Sequence, residues 1–252
     1  MGYSRIIQFG NVTELYEYEK NRPDYKERYI SKLSKIRNKK ARDERKKKGL
    51  YFRSKRHILR STNNFFRICH HNNTLADTIH FLTLTFAYDL TYKTACRHVA
   101  RFMERVKKTF PEVPIRYISV VERTKKNRLH FHLLVYNLPT EATSRERETR
   151  NFQRLFERGY VDLCFASYTS KGIAGYMAKY MAKALRDEKN ETKRAYNCSR
   201  GIKKIASQGG NTLHKFLDII KPTGIVETKI SEYNVPYLGK CIKTSIINKN
   251  AK

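Results

Sequence analysis

The chain has 252 residues, with 53 Lys and Arg against 23 Asp and Glu and a formal charge of +30 at pH 7. Its length suits one compact domain with extensions or two small ones, and a hydrophobic content of 40% is enough for a real core. A surplus of that size repels itself unless a polyanion is present, which makes nucleic acid the expected partner, since phosphate contacts release counterions; charge alone fits equally a ribosomal-type RNA binder or a basic tail with no chemistry.

Five cysteines, Cys69, Cys96, Cys164, Cys198 and Cys241, are odd in number and widely spaced, with no C-x-x-C pair. This argues against a disulfide framework or a zinc ribbon and for a reducing compartment. The run Cys69-His70-His71 reads as a polar loop rather than a metal site. The first twenty residues lack the apolar stretch of a signal peptide, and no apolar run approaches the ~20 residues that span a bilayer. A cytoplasmic protein without a membrane partner is expected.

Residues 1–79 read as a basic, largely helical extension. Pro23 sits where a helix can begin and Gly49 where one can end. From Lys32 to Lys48 there are ten basic residues against Asp43 and Glu44. Tyr29, Leu33 and Ile36 form a thin apolar stripe. This segment either contacts DNA backbone or is a solvated helix with no specific role.

Residues 80–200 carry the strongest periodicities. Phe81–Phe86 reads as a strand. Residues 91–109 read as an amphipathic helix with Cys96, Val99, Phe102, Met103 and Val106 on one side, ended by Pro111 and Pro114. Ile115–Glu122 and Leu129–Asn137 flank a turn and pair as a hairpin. A helix over 147–158, a strand over Tyr160–Cys164 and a helix from Ser170 to Leu185 complete the order β-α-β-β-α-β-α. The first six elements are the split βαβ pattern: an α+β fold with an antiparallel, RRM-like sheet and helices on one face. The last helix is an addition that can present side chains to the sheet. Residues 201–252 form a lysine-rich extension, with a loop at Ser207–Asn211 and strand-like runs at Gly224–Ile230 and Val235–Ile242.

The chemistry gathers in the second of these regions. In Leu129-His130-Phe131-His132-Leu133-Leu134-Val135, side chains alternate across the strand. Leu129, Phe131, Leu133 and Val135 share one face, and His130 and His132 share the other. Two imidazoles so placed can converge on one cation, although histidines also occupy half-exposed strands without any catalytic role. Glu122 ends the partner strand, where it can join them as a third ligand or make a cross-strand ion pair with Lys125 or Arg128. Two imidazoles and a carboxylate suit Mn²⁺ or Mg²⁺. On the last helix, Tyr176 and Tyr180 are four apart and share a face. Lys179 and Lys183 each follow a tyrosine by three and can stabilise charge on a phenol, whose pKa near ~10 makes it a weak nucleophile unaided. The plain alternative is a core helix with packed tyrosines and solvated lysines.

Together, His130-Phe131-His132, the Phe81–Phe86 strand FLTLTF and the run YMAKYMAK at Tyr176–Lys183 resemble the three motifs of the HUH endonuclease superfamily. The doubled tyrosine is similar to its two-tyrosine branch, the rolling-circle replication initiators of small single-stranded DNA phages and related plasmids. Ser199-Arg200-Gly201 resembles a segment downstream of the tyrosine helix in phage initiators. The resemblance implies a metal-dependent, site-specific endonuclease and strand transferase. In that reading His130, His132 and Glu122 hold a divalent ion, and Tyr176 or Tyr180 attacks single-stranded DNA at a replication origin to form a 5′-phosphotyrosine link. The freed 3′-hydroxyl then primes a host DNA polymerase, with a host helicase expected as a further partner, and the strand is later rejoined. A plasmid relaxase, a single-strand transposase and a noncatalytic RRM-like nucleic-acid binder are the alternatives.

Overall fold

A computed structural model of the chain describes residues 3–20, 39–40, 43–44, 55–124, 128–139, 145–165, 170–186, 196–210, 226–235 and 239–248. The fold is α+β, with two five-stranded antiparallel sheets. The chain separates into two compact units, residues 1–44 with 204–252 and residues 45–203.

The first unit is built from both ends of the chain. β1 (Ser4–Phe9) and β2 (Val12–Tyr18) form a hairpin, with Gly10 at φ 53° in its turn. β8 (Ala206–Gly210) pairs with β1, while β9 (Val226–Val235) and β10 (Gly239–Asn248) form a second hairpin that docks on β2 through β10. β1 and β2, from the segment expected as an extension over 1–79, therefore share a sheet with β8, β9 and β10, from the one expected over 201–252. Ser207–Gly210 is a strand rather than the expected loop. A Cβ on Gly209 would fall 2.2 Å from the Tyr3 hydroxyl, so the glycine marks close packing rather than a turn. In the core of this sheet the buried Glu14 accepts a hydrogen bond from the Tyr16 hydroxyl at 2.9 Å and pairs with Lys243 at 2.6 Å. The expected basic helix lies mostly outside the described residues; Lys39, Lys40, Asp43 and Glu44 are described, helical and exposed.

The second unit holds the other sheet, ordered β6-β3-β5-β4-β7: β3 (Ile79–Phe86), β4 (Arg116–Arg123), β5 (Leu129–Tyr136), β6 (Gly159–Phe165) and β7 (Tyr196–Cys198). The helices are α1 (Lys55–Thr74), α2 (Tyr92–Thr109), α3 (Arg145–Phe156) and α4 (Ser170–Arg186). The expected order of elements is present, with α1 added before it and β7 after it. α2 starts where Thr91 Oγ1 accepts from the Thr94 N–H at 3.3 Å. It buries Val99, Phe102, Met103 and Val106 as expected; Ala95 completes the buried side and Cys96 is only half-buried.

The two helices of the split βαβ pattern cover one face of this sheet, as expected, and α1 and α4 cover the other. On the first face Leu82, Leu84, Phe86, Val121, Leu129, Phe131, Leu133 and Val135 pack against α2 and against Phe152 and Phe156 of α3. On the second, Phe81, Ile118, Val120, Leu134 and Tyr136 pack against Phe65 and Cys69 of α1 and the Ile173, Met177 and Met181 stripe of α4. Each such buried aliphatic or aromatic side chain contributes about 1.5–3 kcal/mol, so a second face this apolar does not stay bare. Cys69-His70-His71 lies within α1, with Cys69 and His70 buried, and is not a loop. No helix among the described residues is long and apolar enough to cross a membrane.

Candidate active site

The second face of the 45–203 sheet is apolar at its middle and polar at one end. Antiparallel register sets Glu122, His130 and Thr85 in one row and Val120, His132 and Thr83 in the next. Directly paired residues share a face, so two histidines, two threonines and one carboxylate meet beneath α4.

Each histidine is held by the threonine beside it. Thr85 Oγ1 lies 3.0 Å from His130 Nε2, and Thr83 Oγ1 lies 3.3 Å from His132 Nδ1. Which partner donates depends on the tautomer. The two rings are near-parallel, with centroids 5.0 Å apart. His132 Nε2 is 3.5 Å from Glu122 Oε1, and Lys183 Nζ reaches down from α4 to within 3.0 Å of Glu122 Oε2. The Lys183 approach is that of an ion pair by distance; Glu122 Oε2 and His132 Nε2 are buried without an aligned hydrogen-bond partner. Burial raises the Glu122 carboxyl, but His132 and Lys183 outweigh it and hold it below its ordinary value. Burial, then His132, lower His130 against the opposing pull of Glu122. A neutral imidazole next to an ionised carboxylate results.

The tyrosines stand over this cluster. The Tyr180 ring stacks on His132 at 3.7 Å, and Phe81 underlies both tyrosines with centroids at 5.2 Å from Tyr176 and 6.2 Å from Tyr180. The Tyr180 hydroxyl donates to the Tyr176 oxygen at 2.6 Å. Sequence spacing makes the two tyrosines equivalent; the geometry separates them. Tyr176 is 43% exposed and accepts a hydrogen bond. Tyr180 is half-buried, and burial, the bond to Tyr176 and the nearby Glu122 raise its pKa. Tyr180 thus keeps its proton and lends it to Tyr176. The lysines separate too: Lys179 is exposed, whereas Lys183 serves Glu122.

Among the described residues no group of three or more His, Cys, Asp or Glu side chains is spaced to hold a metal ion as it stands. The donor chemistry of His130, His132 and Glu122 nevertheless suits a divalent ion: two imidazoles, one carboxylate, and two buried polar atoms lacking aligned partners. Phe81, Thr83 and Thr85 belong to the FLTLTF motif, whose individual side chains carry no assigned role in the sequence alone. Their signal is parity with the histidines across the β3–β5 pair.

Residues 79–185 match the family model described as Replication-associated protein ORF2/G2P. The match runs from the first residue of β3 to the penultimate residue of α4 and so takes in every side chain of this cluster. It supports a replication initiator and, with it, a DNA partner. No curated protein and no solved structure matches the chain.

Proposed function

We propose that the chain is a replication-initiator endonuclease of the two-tyrosine kind, which nicks single-stranded origin DNA and keeps the 5′ end on a tyrosine. One observation carries this reading: two phenols joined by a 2.6 Å hydrogen bond lie directly over a His–Glu–Lys cluster on a sheet face. Packing alone does not call for two phenols with their oxygens together above buried charge. Tyr176 is the first nucleophile. Its oxygen forms the new bond to phosphorus as the P–O3′ bond breaks; the phenol proton leaves to solvent, and the 3′-oxygen takes one up. The hydrogen bond from Tyr180 stabilises the phenolate as it develops. A Cβ at Gly175 would meet nothing within 4 Å, so DNA backbone has room beside Tyr176. A divalent ion, Mg²⁺ or Mn²⁺, held by His130, His132 and Glu122 would polarise the scissile phosphate. Tyr180 remains to attack the regenerated junction, which lets the strand be rejoined without release. A host polymerase extends the freed 3′-hydroxyl, assisted by a host helicase.

The test is incubation with single-stranded origin fragments in Mn²⁺, followed by mass mapping of peptide–DNA adducts. Tyr176→Phe is expected to slow the first cleavage strongly and leave any adduct on Tyr180. Tyr180→Phe should keep an adduct on Tyr176 but fail in repeated strand transfer. The double variant should form none. An adduct that persists in the double variant would sink the assignment.

A further inference from the structure

We propose that the β6 side of the second sheet face, beside the tyrosines, is the lane along which single-stranded DNA reaches them, with Tyr160 stacking on a base next to the scissile phosphate; the backbone of β6 on either side of Tyr160 is capped by the Gln153 side chain, so it is the ring and not the strand edge that is offered. The inference rests on the endonuclease reading and identifies how that site grips its substrate.

The register supplies the placement. Tyr160 on β6 pairs with Thr85, which pairs with His130, which pairs with Glu122. Tyr160 therefore continues the same row of the same face, two strands beyond His130, or roughly 10 Å at ordinary strand spacing. It is 68% exposed. Sheet-edge tyrosines are common, but this one is locked in the row: a Cβ on the preceding Gly159 would fall 1.9 Å from the Thr85 carbonyl oxygen, so glycine lets β6 close tightly on β3 at this point.

The surroundings supply the charge. Arg158 precedes Gly159, and its guanidinium lies 3.3 Å from the hydroxyl of Tyr88, itself 42% exposed. Helix α2, which covers the other face, carries exposed Arg97 and Arg101 on either side of His98, whose ring lies 6.1 Å from that of Phe86 at this end of the sheet. His98 lies among them, lowered by burial and then by Arg158, Arg101, Arg97 and Arg105, so these guanidiniums share one neighbourhood. Arg105 is neutralised by Glu157 at 3.0 Å; Arg97 and Arg158 bond to the uncharged Thr94 and Tyr88 hydroxyls, so their charge, with that of Arg101, can serve phosphates. Asp162 is the next residue of β6 on the Tyr160 face. A carboxylate there disfavours a phosphate and favours a base beside the ring. Aromatic faces interleaved with cations are how proteins hold single strands without reading sequence.

The test uses the full chain carrying Tyr176→Phe and Tyr180→Phe, so that binding is read without cleavage. The ligand is an oligothymidylate containing several 2-aminopurines, whose fluorescence falls when they stack. Further change of Tyr160→Ala should weaken binding roughly 5- to 100-fold and remove part of the quench. Tyr160→Phe should restore both. Arg101→Ala with Arg158→Ala should lower the salt dependence and leave the quench at saturation intact. Unchanged affinity and quench in Tyr160→Ala would overturn the lane, as would an alanine-like Tyr160→Phe variant. Equal weakening on blunt duplex, whose bases are stacked already, would overturn it too. Adduct formation by the protein with both tyrosines is measured separately. An adduct with an unaffected Tyr160→Ala defeats the lane alone, and an intact lane with no adduct defeats the endonuclease reading alone.

Discussion

The two faces of the sheet in residues 45–203 are made by the same strands, one residue out of phase. On one face Leu82, Leu84, Phe131, Leu133 and Val135 form an apolar layer under two helices. On the other, Thr83, Thr85, His130, His132 and Glu122 form a polar cluster under the tyrosines of α4. The first face supplies the rigidity that the second requires. Catalytic groups must be held to a fraction of an ångström, and a polar cluster half-served by hydrogen bonds does not hold itself. Alternation along β5 therefore divides labour residue by residue: each histidine is flanked in sequence by the side chains that anchor it.

That division can be broken from either side. The largest effect is expected on the polar face. His130→Ala with His132→Ala should abolish nicking of single-stranded origin DNA while DNA retention survives, because the charge that contacts phosphate is untouched. Cleavage that persists in Mn²⁺, measured against filter retention of the same oligonucleotide, would show that the histidines have no catalytic part. On the apolar face, Leu133→Ala should cost about 2–5 kcal/mol of stability, read by urea unfolding, and leave the activity of the remaining folded protein near normal. Lost activity at full folding would mean that the two faces are not separable.

The smallest effect sharpens the comparison. His80 lies on the apolar side of β3, where burial lowers it to about 4. Unfolded, it takes a proton near its ordinary ~6.5. The unfolded state then binds more protons between those values. The contribution to stability is complete above about pH 6.5 and is lost as pH falls toward 4. His80→Leu should remove up to one proton from the slope of stability against pH in that interval. An identical slope in the variant would show that His80 titrates alike in both states.

Most of this division was legible in the sequence, because parity is a local property. HFH announces its two faces without any structure, as does FLTLTF, and the helices α2 and α4 follow from spacing. The nearness of Glu122 to the histidine strand was also readable from the hairpin, although the spacing left open whether it faces His130 or His132; the register pairs it with His130. Three things were not. α1 buries Phe65 and Cys69 among Arg, Asn and His, so its apolar stripe is too thin to predict a core helix. The unequal exposure of Tyr176 and Tyr180 depends on depth, which spacing does not encode. The sheet of the first unit was missed although Phe9-Gly10-Asn11-Val12 is a hairpin turn signal, because β1 with β8 and β2 with β10 are partners that local patterning cannot match.

That last sheet has a consequence for how the protein is made. Ribosomes add roughly 5–20 residues each second, and β1 finds β8 only after the 195 positions between Phe9 and Gly10 on one side and Ala206 on the other have been threaded out. The β1–β2 hairpin must wait roughly 10–40 s, a two-stranded ribbon with little stability of its own. During that wait every strand of the second sheet emerges in turn, and all of their pairing partners lie within the stretch made before β8. Synthesis thus completes the strands of the second sheet before those of the first, and any message cut short before β8 yields a chain whose first two strands lack both of their sheet partners.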